Sequence, residues 1–230
     1  MKIGIIGTGS VGQTFAPRLV SLGHQVMIGT RNVSEKLSSQ AKDGYGNPPF
    51  AEWHKSNQQV KLGTFSEAAA FGEIIINVTK GENSIDALNL AEAKNLNGKV
   101  LIDISNPLDS KKGYPPPLIP ELSNTFSLGE NIQQTFPGAK VVKTLNTMWA
   151  GIMVNPGMIQ NGDHTNFICG NDKEAKQKVK SLLKELGWKD DSILDLGDIT
   201  SARGVESILP VWLRIWGATQ NGAFNFKIVK

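Results

Sequence analysis

The residues best placed to do chemistry stand at the front of the chain. Gly7-Thr8-Gly9-Ser10-Val11-Gly12 separates the apolar run Ile3 to Ile6 from a segment of helical periodicity. Each glycine has a mechanical task in this spacing. Gly7 permits a tight turn, Gly9 lets a pyrophosphate approach the backbone, and Gly12 lets the helix sit close to the strand. The first helical turn offers unpaired N–H groups and the positive end of the helix dipole. Gly7, Thr8, Gly9, Ser10, Val11 and Gly12 are therefore read as the phosphate-binding residues of a dinucleotide site. The end of the second apolar run says which dinucleotide. NAD sites place an Asp or Glu about 20 residues beyond the glycines to hold the ribose 2′-hydroxyl. Here Val26-Met27-Ile28-Gly29 leads into Thr30-Arg31-Asn32 with no acid. A guanidinium grips a 2′-phosphate, and the flanking hydroxyl and amide add hydrogen bonds. One charge-assisted bond is worth about 1.5–3 kcal/mol, which favours NADP(H) over NAD(H) by roughly 10- to 100-fold. Lys36 either adds charge there or is a solvated surface lysine.

Three polar clusters follow later apolar runs: Asn77-Val78-Thr79, Ser105-Asn106-Pro107 and Asn146-Thr147-Met148-Trp149. They fall where the ribose and nicotinamide half of such a cofactor should lie, and their uncharged groups can bond it without placing charge beside a transferring hydride. The same residue types also cap strand ends by bonding local backbone, so both roles stay open. A positioned general acid is missing. Tyr45 and Tyr114, the two tyrosines, lack a lysine four residues on. His24 and His54 fall at the wrong end of the expected sheet, and His164 reads as a loop cap. Lys143 lies within a strand and is expected to cover sheet surface with its stem. No Cys/His spacing suits a metal. We therefore assign no catalytic side chain and no metal ligand, and expect an acceptor that takes hydride directly, such as a flavin or deazaflavin ring.

The elements that must position these residues alternate between short apolar runs and helical patterns, the signature of a parallel α/β sheet. The first helix places Val11, Phe15, Leu19 and Leu22 on one face, with Pro17 discordant inside it. Strands are expected from His24 to the Thr30-Arg31-Asn32 end and over residues 60–64, 73–78, 99–104 and 140–145. A further strand–helix–strand unit covers 166–169, 172–186 and 192–196. A last helix is expected over 201–217, interrupted or kinked near Pro210, and the tail 224–229 has the period-two look of an edge strand. Trp212 and Trp216, one turn apart, are either core or a stacking platform, with Arg203 and Arg214 near enough to meet an acceptor's phosphate tail. Two polar connections stand out. Residues 42–59 precede the third strand, at the sheet's amino end. Residues 106–125 follow the fifth, where ligands bind, and could form a lid or a stiff solvated connection.

The resulting expectation is a doubly wound Rossmann sheet of order 3-2-1-4-5-6 with a small C-terminal βαβ plus helix extension. Residues 1–146 would bind NADP(H), and residues 147–230 would cap the cofactor and acceptor site. Composition agrees with an ordinary globular chain of 230 residues, 40% hydrophobic and 20% charged, with formal charge +3. No basic run suggests nucleic acid, and no apolar stretch approaches the ~20 residues of a membrane span. The single Cys169 excludes an internal disulfide, and no signal peptide is recognised, so a cytoplasmic location is expected.

GIIGTGSVGQ, IGTRN, DISNP and KTLNTMWA, together with LDLGDITSARG and the FNFKIV end, resemble the coenzyme F-420-dependent NADP oxidoreductase family. The chain is also similar to the cytosolic domain of the STEAP metalloreductases. The resemblance implies a Rossmann domain with a small C-terminal part over the cofactor, commonly in a dimer. It implies reversible hydride transfer between nicotinamide C4 and the deazaflavin. Gly7 to Gly12 match its phosphate loop and Thr30-Arg31-Asn32 its 2′-phosphate site. Asn77, Thr79, Ser105, Asn106 and Asn146 match the nicotinamide side more loosely. The inserts at 42–59 and 106–125 depart from the simplest family pattern. A carbonyl, imine or ferric reductase and a non-catalytic NADPH sensor remain as alternatives.

Overall fold

Four apolar runs rich in β-branched residues supply the middle of one sheet, as expected of strands covered on both faces. The structure is a computed structural model that describes residues 1–42 and 46–229. Its strands are β1 (Lys2–Ile6), β2 (Gln25–Thr30), β3 (Lys61–Thr64), β4 (Ile74–Asn77), β5 (Val100–Asp103), β6 (Lys140–Thr144), β7 (Asn166–Cys169) and β8 (Ile193–Asp195). They form one sheet of order β3-β2-β1-β4-β5-β6-β7-β8. The expected order of the first six holds, all pairing parallel. β7 runs antiparallel to β6 and β8 parallel to β7, so the C-terminal βαβ unit continues the same sheet in the opposite sense.

The helices are α1 (Ser10–Ser21), α2 (Val33–Ser38), α3 (Phe50–Lys55), α4 (Phe65–Phe71), α5 (Ser84–Ala91), α6 (Ala93–Leu96), α7 (Leu128–Thr135), α8 (Ala150–Val154), α9 (Lys173–Leu186) and α10 (Ala202–Thr219). The period of two along the strands divides the core into two layers. Ile3, Ile5, Ile74, Ile76, Val100, Ile102 and Val142 face Phe15, Leu19, Ile152, Val179 and Leu182 of α1, α8 and α9. Ile6, Ile75, Leu101 and Val141 face Ala68, Leu88, Leu128, Ile132 and Ala202 of α4, α5, α7 and the start of α10.

Local signals fix the helix ends. Thr64 and Glu67 form a reciprocal capping box at α4, which satisfies two orphan donors. Asp172 caps α9 by accepting from the Ala175 N–H at 2.7 Å, and Gly187 closes it in the left-handed region. α1 runs unbroken through Pro17. The burial of Phe15, Ala16 and Leu19 holds that face in place although one backbone donor is lost. α10 likewise continues past Pro210 to Thr219, correcting the expected interruption.

Three further expectations change. Residues 224–229 form no strand. Instead the Thr165 N–H donates to the Phe226 carbonyl at 2.9 Å, and the Ile228 N–H donates to Thr165 Oγ1 at 3.0 Å. A side-chain hydroxyl thus takes the place of a ladder partner. The period-two pattern reflects Phe224 stacking on Trp212, with ring centroids 5.2 Å apart. Segment 42–59, read as a connection, contains α3, whose Phe50 enters the core at 3% exposure. Segment 106–125 is pinned by one bridge between Leu108 and Leu118 and by two single-turn 3-10 helices. Among the described residues no helix is long and apolar enough to cross a membrane.

Candidate active site

The glycine loop joins β1 to α1 at the carboxyl edge of the sheet. Gly7 sits at φ +123°, a backbone region that favours glycine. A Cβ on Gly12 would collide with the carbonyl oxygen of Gly7 and press on Ile28 and Val78. Only glycine therefore allows α1 to close on the loop. A Cβ on Gly9 would meet nothing within 4 Å. Gly9 is the N-cap of α1, no side chain caps that end, and its first turn holds no acid. The loop is braced from within by Gln13 Nε2, which donates to the Thr8 carbonyl at 2.9 Å. A rigid cradle of backbone donors, open to solvent beside Gly9, suits a pyrophosphate. Thr8, Ser10 and Val11 are half-buried around it.

At the end of β2, Thr30 is buried and Arg31 exposed. No carboxylate pairs with Arg31 among the described residues. Asn32 is partly committed, because its Oδ1 accepts from the Glu35 N–H at 3.1 Å and so caps α2. The Lys36 ammonium lies over the Phe50 ring at 5.3 Å, a cation–π contact that keeps its charge on the same side of the sheet edge.

The ends of β4, β5 and β6 do come together, but chiefly with one another. Asn77, fully buried, donates from Nδ2 to Ser84 Oγ at 3.2 Å and to Asp103 Oδ1 at 3.0 Å. Its Oδ1 accepts from the Thr79 hydroxyl at 2.7 Å. Ser105 Oγ donates to Asp103 Oδ1 at 2.6 Å. Asn106 Nδ2 donates to the Asn146 carbonyl at 2.8 Å, and Asn146 Nδ2 returns a bond to Asn106 Oδ1 at 2.9 Å. Val78 packs its side chain against the glycine loop. Pro107 offers its carbonyl to the Ile119 N–H at 2.8 Å, which ties down segment 106–125. These residues build a rigid floor, and Thr79 and Asn106 are its half-exposed members.

Beneath that floor lies what the sequence reading missed. Lys143 does not cover sheet surface; it is wholly buried, 2.8 Å from Asp103 Oδ2 and 2.8 Å from Glu206 Oε1. Glu206, in α10, also accepts the Leu128 and Gly129 N–H groups at 2.9 and 3.0 Å. Burial disfavours the Lys143 ammonium, but the two carboxylates outweigh it and hold the pKa above its ordinary value. Burial pushes the Glu206 carboxyl up against the pull of Lys143. A signal existed: Asp103 and Lys143 interrupt apolar strands and are register partners, and opposite charges inside a core must pair.

The wall of the site is aromatic. Tyr114 meets Trp216 edge-on at 5.7 Å, Trp212 stacks on Phe224, and Trp149 is 45% exposed beside Gly222. Arg203 is not free for an acceptor, since its guanidinium forks onto both oxygens of Glu130. Arg214 is exposed. His164 is a buried packing residue, bonded to the Pro156 carbonyl and Asn225 and edge-on to Trp188. The buried Cys169 thiol is pushed up to about 12 by desolvation, so it is no nucleophile. Tyr45 lies outside the described residues. No cluster of three metal-ligating side chains occurs among the described residues. A cleft of about 320 Å³ lies at the opposite, amino edge, but Lys99, Lys140, Glu73, Glu174 and Glu185 line it with mixed charge.

Comparison with known proteins agrees with this geometry. The family described as coenzyme F-420-dependent NADP oxidoreductase matches residues 2–107. A crystal structure from Arthrobacter sp. FB24, of a candidate F-420-dependent NADP-reductase, is 52% identical over 100% of both chains with a TM-score of 0.93. The F-420-dependent NADP reductase of Methanothermobacter marburgensis is 28% identical over 94% of this chain and 92% of that protein. The rat metalloreductase STEAP3 is 30% identical over 92% of this chain, which spans 38% of that protein's length. With a glycine loop at an open helix end, an arginine where NAD sites carry an acid, and a full-length match at 52% identity, the chain belongs to the coenzyme F-420-dependent NADP oxidoreductase family.

Proposed function

We propose that this oxidoreductase binds NADP(H) along the carboxyl edge of its sheet and passes hydride between nicotinamide C4 and a deazaflavin or flavin acceptor. In this reading residues 1–146 hold the cofactor and residues 147–230 close over it. The residues present fit the cofactor: the cradle at Gly9 is open, α1 is uncapped, and Arg31 awaits an anion. The bound nicotinamide supplies the hydride. The protein supplies the rest. Gly7 to Gly12 hold the pyrophosphate, Arg31 grips the 2′-phosphate, and the floor from Asn77 to Asn146 fixes the approach of the ring. The aromatic wall of Trp149, Trp212 and Trp216 shields the transfer from water.

The observation that carries the acceptor class is that the hydroxyl and ammonium groups described in and beneath the floor are already engaged. The hydroxyls of Thr79 and Ser105 are bonded to neighbouring oxygens, and Lys143 is sealed between two carboxylates. A ring that takes hydride directly needs no such group from the protein. The test is anaerobic NADPH oxidation with F-420, FMN, FAD, riboflavin, ferric chelates and small carbonyls or imines. We expect turnover with F-420 or a flavin. Turnover with carbonyls or imines alone would overturn the reading and make Tyr114 the proton donor. Turnover with ferric chelates alone would replace it with metal reduction. Tight NADPH binding with no turnover in any arm would replace it with a sensor.

A further inference from the structure

We infer that Lys143 is a positioning residue for hydride transfer, setting the floor under the nicotinamide and the base of the acceptor wall from one buried ammonium. The inference rests on the reading above, in which the nicotinamide lies at the ends of β4, β5 and β6. Lys143 Nζ reaches three acceptors on two other elements, the end of β5 and α10. It donates to Asp103 Oδ2 at 2.8 Å, to the carbonyl oxygen of Ser105 at the end of β5, and lies 2.8 Å from Glu206 Oε1 in α10.

Each branch continues outward. On the floor side, Asp103 Oδ1 collects Asn77 Nδ2, the Ser105 N–H and the Ser105 hydroxyl at 3.0, 3.1 and 2.6 Å. Asn77 in turn holds the Thr79 hydroxyl. On the wall side, Glu206 takes the first two N–H groups of α7, and Arg203 one turn earlier forks onto Glu130 of the same helix. A Cβ on Gly129 would stand 2.9 Å from Ala202 Cβ, so α7 and α10 already touch as closely as side chains allow. A second tie joins the two sides, since Asn146 Nδ2 donates to the Val205 carbonyl at 3.2 Å.

Stability alone is a weak account of this cluster. Apolar residues of equal volume often replace buried ion triads with no loss. All the contacts to Glu206 and Asp103 are donors, and each removes one direction in which a carboxylate could turn. The arrangement therefore specifies position: neither the floor nor the base of α10 can shift without breaking a bond to Lys143.

The test separates positioning from folding. Asp103→Asn keeps an acceptor for Asn77 and Ser105 but cuts the link to Lys143. Glu206→Gln cuts the link on the α10 side. Ser105→Ala leaves all three charges paired while removing one bond that orients Asp103. NADPH affinity comes from the glycine loop and Arg31, so Kd should stay within about threefold of the parent. The fluorescence gain of bound NADPH, which reports how firmly the dihydronicotinamide is held, should fall by at least half in each variant. Single-turnover hydride transfer to whichever of F-420 or FMN the parent enzyme uses should drop about tenfold or more. The Asp103→Asn/Glu206→Gln double variant should be no worse than the worse single, because both cut one device. Unchanged fluorescence and rate per bound NADPH in the variants that fold, with only the melting temperature lowered, would overturn the inference. If the charge variants fail to fold, Ser105→Ala alone decides by the same two readouts. Failure of the parent to bind NADPH would instead refute the underlying functional reading, and it is seen before any variant is made.

Discussion

Arg31 is exposed at the end of β2, and among the described residues no carboxylate is paired with it. Its neighbours have other work: Asn32 caps α2 and Thr30 is buried. The 2′-phosphate preference should therefore rest mainly on one guanidinium. Arg31→Glu is expected to raise the Kd for NADPH by about 10- to 100-fold while NADH changes by less than about threefold. Equal losses for both, measured by titration, would sink the assignment. The glycine loop and Arg31 were legible in the sequence because their chemistry is local: spacing alone sets the turn and its open helix end. Lys143, Asp103 and Glu206 were not, because the meaning of a charge inside an apolar run depends on a partner 40 or more residues away. The floor residues lay between these cases. Their place at strand ends could be read, but not that Ser105 gives both its donors to Asp103 while Asn77 divides its bonds among Asp103, Ser84, Ser105 and Thr79.

At the scale of elements, α10 divides in two. Its buried residues, Ala202, Val205, Glu206 and Leu209, all lie in the first half. The second half carries Val211, Trp212 and Trp216, half-buried or exposed. Trp212 is half-buried and stacks on the tail residue Phe224, and its indole N–H is enclosed without a protein acceptor among the described residues. Trp212→Ala should raise the acceptor KM several-fold while NADPH Kd stays near the parent value. Trp212→Phe, which keeps the stack and removes the orphan donor, should leave stability unchanged or improved. A large stability loss in both variants, read from urea unfolding, would return Trp212 to the core. The helical pattern of α10 was legible from its spacing; the path of the tail was not, because it is settled by bonds to Thr165 and by the stack of Phe224 on Trp212.

Over the whole molecule, the order of the first six strands followed from alternating apolar runs and right-handed crossovers, and the direction of β7 did not, since nothing local sets a strand's sense. Acid stability reflects ties that span the fold. Burial pushes Glu130 up, but the Arg203 fork and Ser127 together hold its carboxyl below the ordinary value. Asp172 is lowered by the Ala175 N–H and then by Lys140. Asp195 is raised by burial but held lower still by Lys176 and the Gly197 N–H. Carboxylates with lowered folded pKa values add stability that is present above the unfolded values of about 3.9 and 4.3 and lost as pH falls through the folded ones. Glu206, pushed up, acts in the opposite sense: its contribution is present below the unfolded value and lost as pH rises through the folded one. The urea midpoint should therefore hold between about pH 7 and 5 and fall steadily below about pH 4.3. A midpoint unchanged at pH 3 would mean that these ties carry no net stability.

The reversal at β7 decides where the chain is free to vary. Because β7 runs against β6, the exit from β8 leads toward the amino side, and α10 must run back along the sheet's flank toward the carboxyl edge. The second half of α10 then rests on Tyr114 and the tail residue Phe224, and the tail is tied back to His164 and Thr165. Side-chain changes in that stretch should reshape the proposed acceptor site while transmitting little strain to the glycine loop. Such a chain can exchange one electron acceptor for another over generations without relearning how to fold.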